Sequence, residues 1–138
     1  MLALALLPVL PALPAAATPD ALAAAVKAFV GDATLRDGRV QLDIAPLVEN
    51  GNTVPVSVSV DSPMSAADHV RTIAIFNERN PQHEVAVFHL GPRNGRATVA
   101  TRIRLATSQQ LVALARMSDG SCWQQRVDVI VTLAACIE

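Results

Sequence analysis

The sequence predicts an all-β fold, an immunoglobulin-like β-sandwich of about seven strands with a short N-terminal helix and a C-terminal arm. Three observations carry this. Apolar residues alternate with polar ones in several short runs, the period of a half-buried strand. Clusters of Gly, Pro, Asn, Asp and Ser separate those runs. The apolar residues are mostly Val, Ile, Leu and Ala: Phe29, Phe76, Phe88 and Trp123 are the only aromatic side chains, and there is no Tyr.

The chain has 138 residues, which fits one domain. Residues 1–17, MLALALLPVLPALPAAA, carry no charge and are interrupted by Pro8, Pro11 and Pro14. A membrane-spanning helix needs about 20 apolar residues, and the prolines would break one. A greasy run ending in Ala15-Ala16-Ala17 reads instead as the hydrophobic and cleavage regions of an export signal. The basic front end of such a signal is absent, so the expected start lies upstream and the expected mature chain begins near Thr18, in an oxidising compartment. The alternative is an uncleaved apolar tail.

Thr18-Pro19-Asp20 has the chemistry of a helix start: a hydroxyl cap, a proline suited to the first turn, and an acid at the positive end of the dipole. Leu22, Val26, Phe29 and Val30 then recur on one helical face, and Gly31 ends it. After Gly38 the period changes to two. The expected strands are Val40–Ile44, Val54–Val60, Val70–Asn77, Val85–Leu90, Ala97–Leu105, Gln110–Met117 and Cys122–Leu133. Pro55 cannot donate to a ladder, which suggests that its strand lies at an edge. In the last strand Trp123, Val127, Val129, Val131 and Leu133 share the expected core face. Cys122 then points the other way, toward solvent or a partner.

Composition excludes several classes of function. Eleven Lys and Arg against 12 Asp and Glu give a net charge of −1, with no basic footprint for nucleic acid. Hydrophobic residues make up 51% and charged ones 17%, the reverse of a disordered composition. Two cysteines cannot by themselves make a disulfide framework or a four-ligand zinc site. His69, His83 and His89 are dispersed, with no pair at helical metal-ligand spacing, and read as surface or network residues. No nucleophile elbow and no glycine-rich phosphate loop is present. The chain is therefore not expected to be an enzyme, and no cofactor or metal is expected.

Cys136 stands just past the last expected strand, in Leu133-Ala134-Ala135-Cys136-Ile137-Glu138. The four residues from Thr132 give it a reach of roughly 13 Å when extended, enough to enter another protein's pocket. The competing reading is a small apolar residue closing a strand end. Cys122 opens the same strand, too far along a straight strand for a disulfide to Cys136. It reads as a packing residue at a turn or interface.

Several phrases together resemble the SoxY family, the sulfur-carrier subunit of the periplasmic thiosulfate-oxidising (Sox) system. They are Leu47-Val48-Glu49-Asn50-Gly51-Asn52-Thr53-Val54-Pro55-Val56, Val60-Asp61-Ser62-Pro63-Met64, Asn80-Pro81, Phe88-His89-Leu90-Gly91-Pro92-Arg93, Thr101-Arg102-Ile103-Arg104-Leu105-Ala106, and Met117-Ser118-Asp119-Gly120-Ser121 leading into Trp123. The resemblance covers about residues 20–136. It implies an immunoglobulin-like sandwich paired with a second sandwich, the SoxZ subunit. It also implies a terminal arm whose cysteine is conjugated to thiosulfate by the SoxXA cytochrome. The SoxB thiosulfohydrolase then releases sulfate, and in some organisms a sulfane dehydrogenase oxidises what remains. It implies a periplasmic location reached through a twin-arginine signal, although no Arg-Arg pair is present.

On that resemblance Cys136 is the point of covalent sulfur attachment and Ala134 and Ala135 form the arm spacer. The chain divides into 1–17 as signal remnant, 18–133 as sandwich with its helix, and 134–138 as carrier arm. The family's arm is Gly-Gly-Cys-Gly-Gly; here Ala134-Ala135 precede the cysteine and Ile137-Glu138 follow it. Alanine is more restricted than glycine, Ile137 is bulky, and Glu138 with the chain terminus would repel an anionic adduct. Cys122 also stands where a large apolar residue is more usual for the family. These departures leave an alternative open: a divergent paralogue without efficient carrier activity, serving as a structural or docking subunit. A generic binding sandwich for a small ligand or metal is a further alternative, and would need the histidines to converge. An exposed terminal thiol can also link two copies through Cys136. No nucleic-acid or membrane partner is expected.

Overall fold

The structure is a computed structural model and describes residues 3–11 and 19–136. The proposed cleavage region, the Thr18 cap, Ile137 and Glu138 lie outside the described residues. Residues 3–11 have no regular secondary structure and are exposed, and among the described residues no helix is long and apolar enough to cross a membrane.

Helix α1 spans Pro19–Val30 and ends at Gly31, whose φ of 65° is the left-handed conformation that glycine tolerates best. The Gly31 amide donates to the Lys27 carbonyl at 2.8 Å, and the Lys27 ammonium donates back to the Gly31 carbonyl at 2.7 Å. Nine strands follow among the described residues: β1 (Leu35–Asp37), β2 (Val40–Asp43), β3 (Leu47–Val48), β4 (Val54–Val60), β5 (Val70–Asn77), β6 (Glu84–His89), β7 (Thr98–Ile103), β8 (Gln109–Met117) and β9 (Cys122–Val131). The larger sheet runs β1-β9-β8-β5-β6, with β3 also on β9; the smaller runs β2-β4-β7. The chain thus belongs to the immunoglobulin-like sandwich class that its alternation predicts. The two strands beyond the expected seven, β1 and β3, are too short to show a period. Both pair in parallel with β9, β1 at Cys122–Gln124 and β3 at Ile130–Val131.

The main core lies between the sheets. Val54, Val56, Val58 and Val60 of β4 face Ile73, Ile75, Leu111, Ala113, Ala115, Met117 and Val129 of the larger sheet. A second core lies outside it, where Leu22, Val26 and Val30 of α1 cover Ala74, Phe76, Val112, Leu114 and Cys122. This explains why β5 and β8 are apolar on both faces while β4 alternates. Phe29 meets Phe76 edge to face, with ring centroids 5.9 Å apart. The Arg116 guanidinium lies over the Phe29 ring and donates to the Phe29 carbonyl, which ties the helix end to β8.

Three expectations are corrected here. Cys122 does leave the main core, but it meets neither solvent nor a partner: α1 covers it and it is wholly buried. Leu133 lies beyond the end of β9 and is exposed. Pro55 sits in the middle strand of the smaller sheet, not in an edge strand. It is tolerated because β2 pairs only with Ser57–Val60, so no β2 residue stands opposite Pro55 and the sheet is locally two strands wide.

Candidate functional site

The candidate site is built where β9 ends and the chain turns back across the loop between β3 and β4. Beyond Val131 the chain continues beside that loop. The Thr132 amide donates to the Val48 carbonyl at 3.0 Å, and its hydroxyl to the Glu49 carbonyl at 3.2 Å. The Gly51 amide donates to the Leu133 carbonyl at 2.7 Å. Gly51 and Ala135 also share Leu105: the Leu105 amide donates to the Gly51 carbonyl at 2.9 Å, and the Ala135 amide donates to the Leu105 carbonyl at 3.0 Å. The last bond reaches the cysteine itself. The Cys136 amide donates to Oδ1 of Asn52 at 3.0 Å. Asn50 sets the pose of Asn52, because its Oδ1 accepts both the amide and Nδ2 of Asn52, each at 3.0 Å.

Gly51 is required by close approach. A Cβ on it would stand 2.5 Å from the Leu105 carbonyl oxygen and 3.0 Å from both the Ala135 nitrogen and the Leu133 oxygen. All three are backbone atoms already bonded in the same cluster, so none can yield cheaply. In sequence the Glu49-Asn50-Gly51-Asn52 stretch reads as a turn within one of the family-like phrases. In the folded chain it holds the segment that bears Cys136. The signal that could have found it is a glycine flanked by two asparagines, whose short carboxamides readily bond nearby backbone.

A buried polar network supports the floor of this arrangement. Asn80, 8% exposed, donates from Nδ2 to the Arg104 carbonyl at 2.8 Å and accepts the Ala106 amide at 3.0 Å. It therefore grips the residues on both sides of Leu105. Gln109 donates to the same Asn80 oxygen at 2.8 Å, and Asn77 accepts the Asn80 amide at 3.1 Å. Ser108 accepts the Val131 amide at 2.8 Å and fixes the end of β9. Four of these five bonds join residues 23 to 29 positions apart, and each group finds a partner, as buried polar atoms must.

The sequence-predicted site residues are placed as follows. The Cys136 thiol is free and exposed; Ala134 is exposed, and Ala135 is half-buried through its bond to Leu105. Cys122 is also a free thiol, at the far end of β9 under α1, and the two form no disulfide. Burial pushes the Cys122 thiol up from its ordinary value, with Arg116 opposing the shift. The histidines do not converge: the Nδ1 of His69 lies 3.0 Å from the Ser65 carbonyl oxygen, that of His83 2.9 Å from the Asn77 carbonyl oxygen, and His89 ends β6. Among the described residues no three His, Cys, Asp or Glu side chains gather as a metal site. Beside the β3–β4 loop a groove of about 860 Å³ opens on the unpaired side of β4, with Asn50, Thr53, Pro55, Ser57 and Arg102 among its lining. Leu47, Ile130 and Leu133, all exposed, lie near the same end of β9.

This fold and terminal segment have known relatives. No curated protein sequence matches the chain. Among solved structures, the sulfur carrier protein SoxY from Chlorobium limicola f thiosulfatophilum superposes with a TM-score of 0.68 at 28% identity, over 81% of this chain and 96% of that one. A superoxide reductase (neelaredoxin) variant from Ignicoccus hospitalis superposes with a TM-score of 0.61 at 22% identity, over 83% and 92%. The superoxide reductase from Nanoarchaeum equitans does so at 0.59 and 10% identity, over 70% and 100%. At those identities the two reductases share the fold alone. The family model described as sulfur oxidation protein SoxY matches residues 26–136, from α1 through Cys136. The chain belongs to the SoxY family of sulfur oxidation proteins.

Proposed function

We propose that the protein carries sulfur intermediates covalently on Cys136 during periplasmic thiosulfate oxidation. The observation that supports this most is the position of the thiol: free, exposed, and at the end of the family-matched segment. Attachment is oxidative. The Cys136 thiol and thiosulfate form a new S–S bond, giving Cys–S–S–SO₃⁻ and releasing one proton and two electrons. The electrons pass to a partner cytochrome of the SoxXA kind. Hydrolysis by a thiosulfohydrolase of the SoxB kind cleaves the S–SO₃ bond with one water, leaving Cys–S–S⁻ and releasing sulfate and two protons. The carrier itself supplies no acid, base or metal to these steps. It keeps the intermediate tethered, which raises its effective concentration at each enzyme in turn.

In this reading the sandwich docks a SoxZ-like subunit, a sulfane dehydrogenase can act on the remaining sulfur, and residues 1–17 belong to the export signal. The test is mass spectrometry of the protein after incubation with thiosulfate and the partner cytochrome. An adduct on the wild type and none on Cys136→Ser is expected; no adduct on either overturns the proposal.

A second reading is favoured by the arm itself. Alanines replace the family's glycines, and backbone bonds at Leu133 and Ala135 hold the segment to the β3–β4 loop. In that reading the protein is a structural or docking subunit, and the same experiment yields no adduct.

A further inference from the structure

We propose that Asn52 is a positioning residue for Cys136: its carboxamide, oriented by Asn50, clasps the Cys136 peptide N–H and gives the terminal segment a held state from which the thiol must be released to enter a partner's pocket. The release step rests on the carrier reading; the clasp does not.

The geometry carries the inference. Two kinds of bond hold the segment, and they differ in strength and in reversibility. Leu133 and Ala135 are fixed by backbone bonds to Gly51 and to Leu105, and Leu105 is itself fixed between residues gripped by the buried Asn80. That part is continuous with the core. Among the described residues, Cys136 is held by a single bond, donated by its amide to an exposed side chain. A single exposed hydrogen bond to a neutral acceptor is worth little in water, so it can open without disturbing Leu133 or Ala135. The chain therefore has a hinge between Ala135 and Cys136. The thiol-bearing residue can leave the loop while the preceding residues stay anchored. Among the described residues, Asn52 bonds to Asn50 and to the Cys136 amide, so the Asn50 contacts set the pose in which its carboxamide meets that amide. Alanine at 134 and 135 fits this arrangement, because a held spacer does not need glycine's freedom.

Amide hydrogen exchange on the full chain, read residue by residue by NMR, tests the clasp without thiosulfate or any partner. Asn52→Ala is expected to speed exchange of the Cys136 amide about fivefold, the loss of one net hydrogen bond, and to leave the Ala135 amide within about twofold. Asn52→Asp keeps the acceptor but loses the Nδ2 donor to Asn50, and is expected to restore part of the protection. It also brings a carboxylate to the thiol. It should therefore slow alkylation of Cys136 by anionic iodoacetate about threefold more than alkylation by neutral iodoacetamide, as expected for a unit charge some 6 Å away in water. Asn52 is exposed, and an unchanged circular dichroism spectrum shows that both variants fold. A Cys136 amide that exchanges at the unprotected rate in the wild type, or that is indifferent to Asn52→Ala, overturns the proposal. A protected amide in a protein that takes no thiosulfate adduct upholds the clasp and removes the carrier reading instead.

Discussion

The two cysteines bracket one strand and have opposite surroundings. Cys122 opens β9, wholly buried beneath Leu22, Val26 and Val30 of α1; Cys136 follows its end, exposed and tied to a loop by one side chain. The difference follows from what each strand end packs against. At the first end the even-numbered face of β9 meets a helix, so an apolar side chain is needed and a thiol serves as a small one. At the second end the sheet has run out, and the end of β3, the β3–β4 loop and Leu105 lie beside the chain. One thiol belongs to packing, the other to the surface. What separates them is cover, because both are free.

The largest effect expected on the buried side comes from the helix–sheet core. Phe76→Ala removes a ring that is 2% exposed and packed edge-on to Phe29. Loss of about 3–5 kcal/mol in denaturant unfolding is expected, whereas Cys136→Ser should fall within about 0.5 kcal/mol of wild type. Equal costs at the two positions would erase the contrast.

Gly51→Ala sharpens the other side. Its Cβ would press on the Leu105 carbonyl at 2.5 Å. A loss of about 1–3 kcal/mol is expected, with faster amide exchange at both Ala135 and Cys136. A silent substitution would show that the segment does not rest on Gly51.

The smallest effect is alkaline. Burial raises the Cys122 thiol above its ordinary value of 9.0. The folded protein then keeps a proton that the unfolded chain gives up. This contribution is whole below about pH 9 and is lost as pH rises through the folded value. Unfolding free energy measured from pH 8 upward should decline, and the decline should be shallower in Cys122→Ala. An identical slope in both would contradict the burial of this thiol as its cause.

Much of the fold was legible because it rests on local period. The helix Pro19–Val30 and the longer strands follow from spacing alone, and the direction of Cys122 away from the main core follows from parity. What covers that face does not, because the contact between α1 and β9 joins residues some hundred positions apart. The strands β1 and β3 have three and two residues, too few for alternation to register. The middle position of β4 was hidden by Pro55, whose meaning depends on where β2 stops pairing. At the candidate site, Cys136 stood out by chemistry and position. The clasp did not, because Asn50-Gly51-Asn52 has the composition of any tight turn. Its purpose emerges only when residues 133–136 arrive from 84 positions away.

The proposed carrier function depends on Cys136 receiving sulfur. The most direct measurement is the intact mass of the wild type and of Cys136→Ser after exposure to thiosulfate with the partner cytochrome as electron acceptor. A mass increase of one thiosulfate on the wild type, reversed by reducing agent and absent from the variant, is predicted. An unmodified wild type, or the same adduct on the variant, would contradict it.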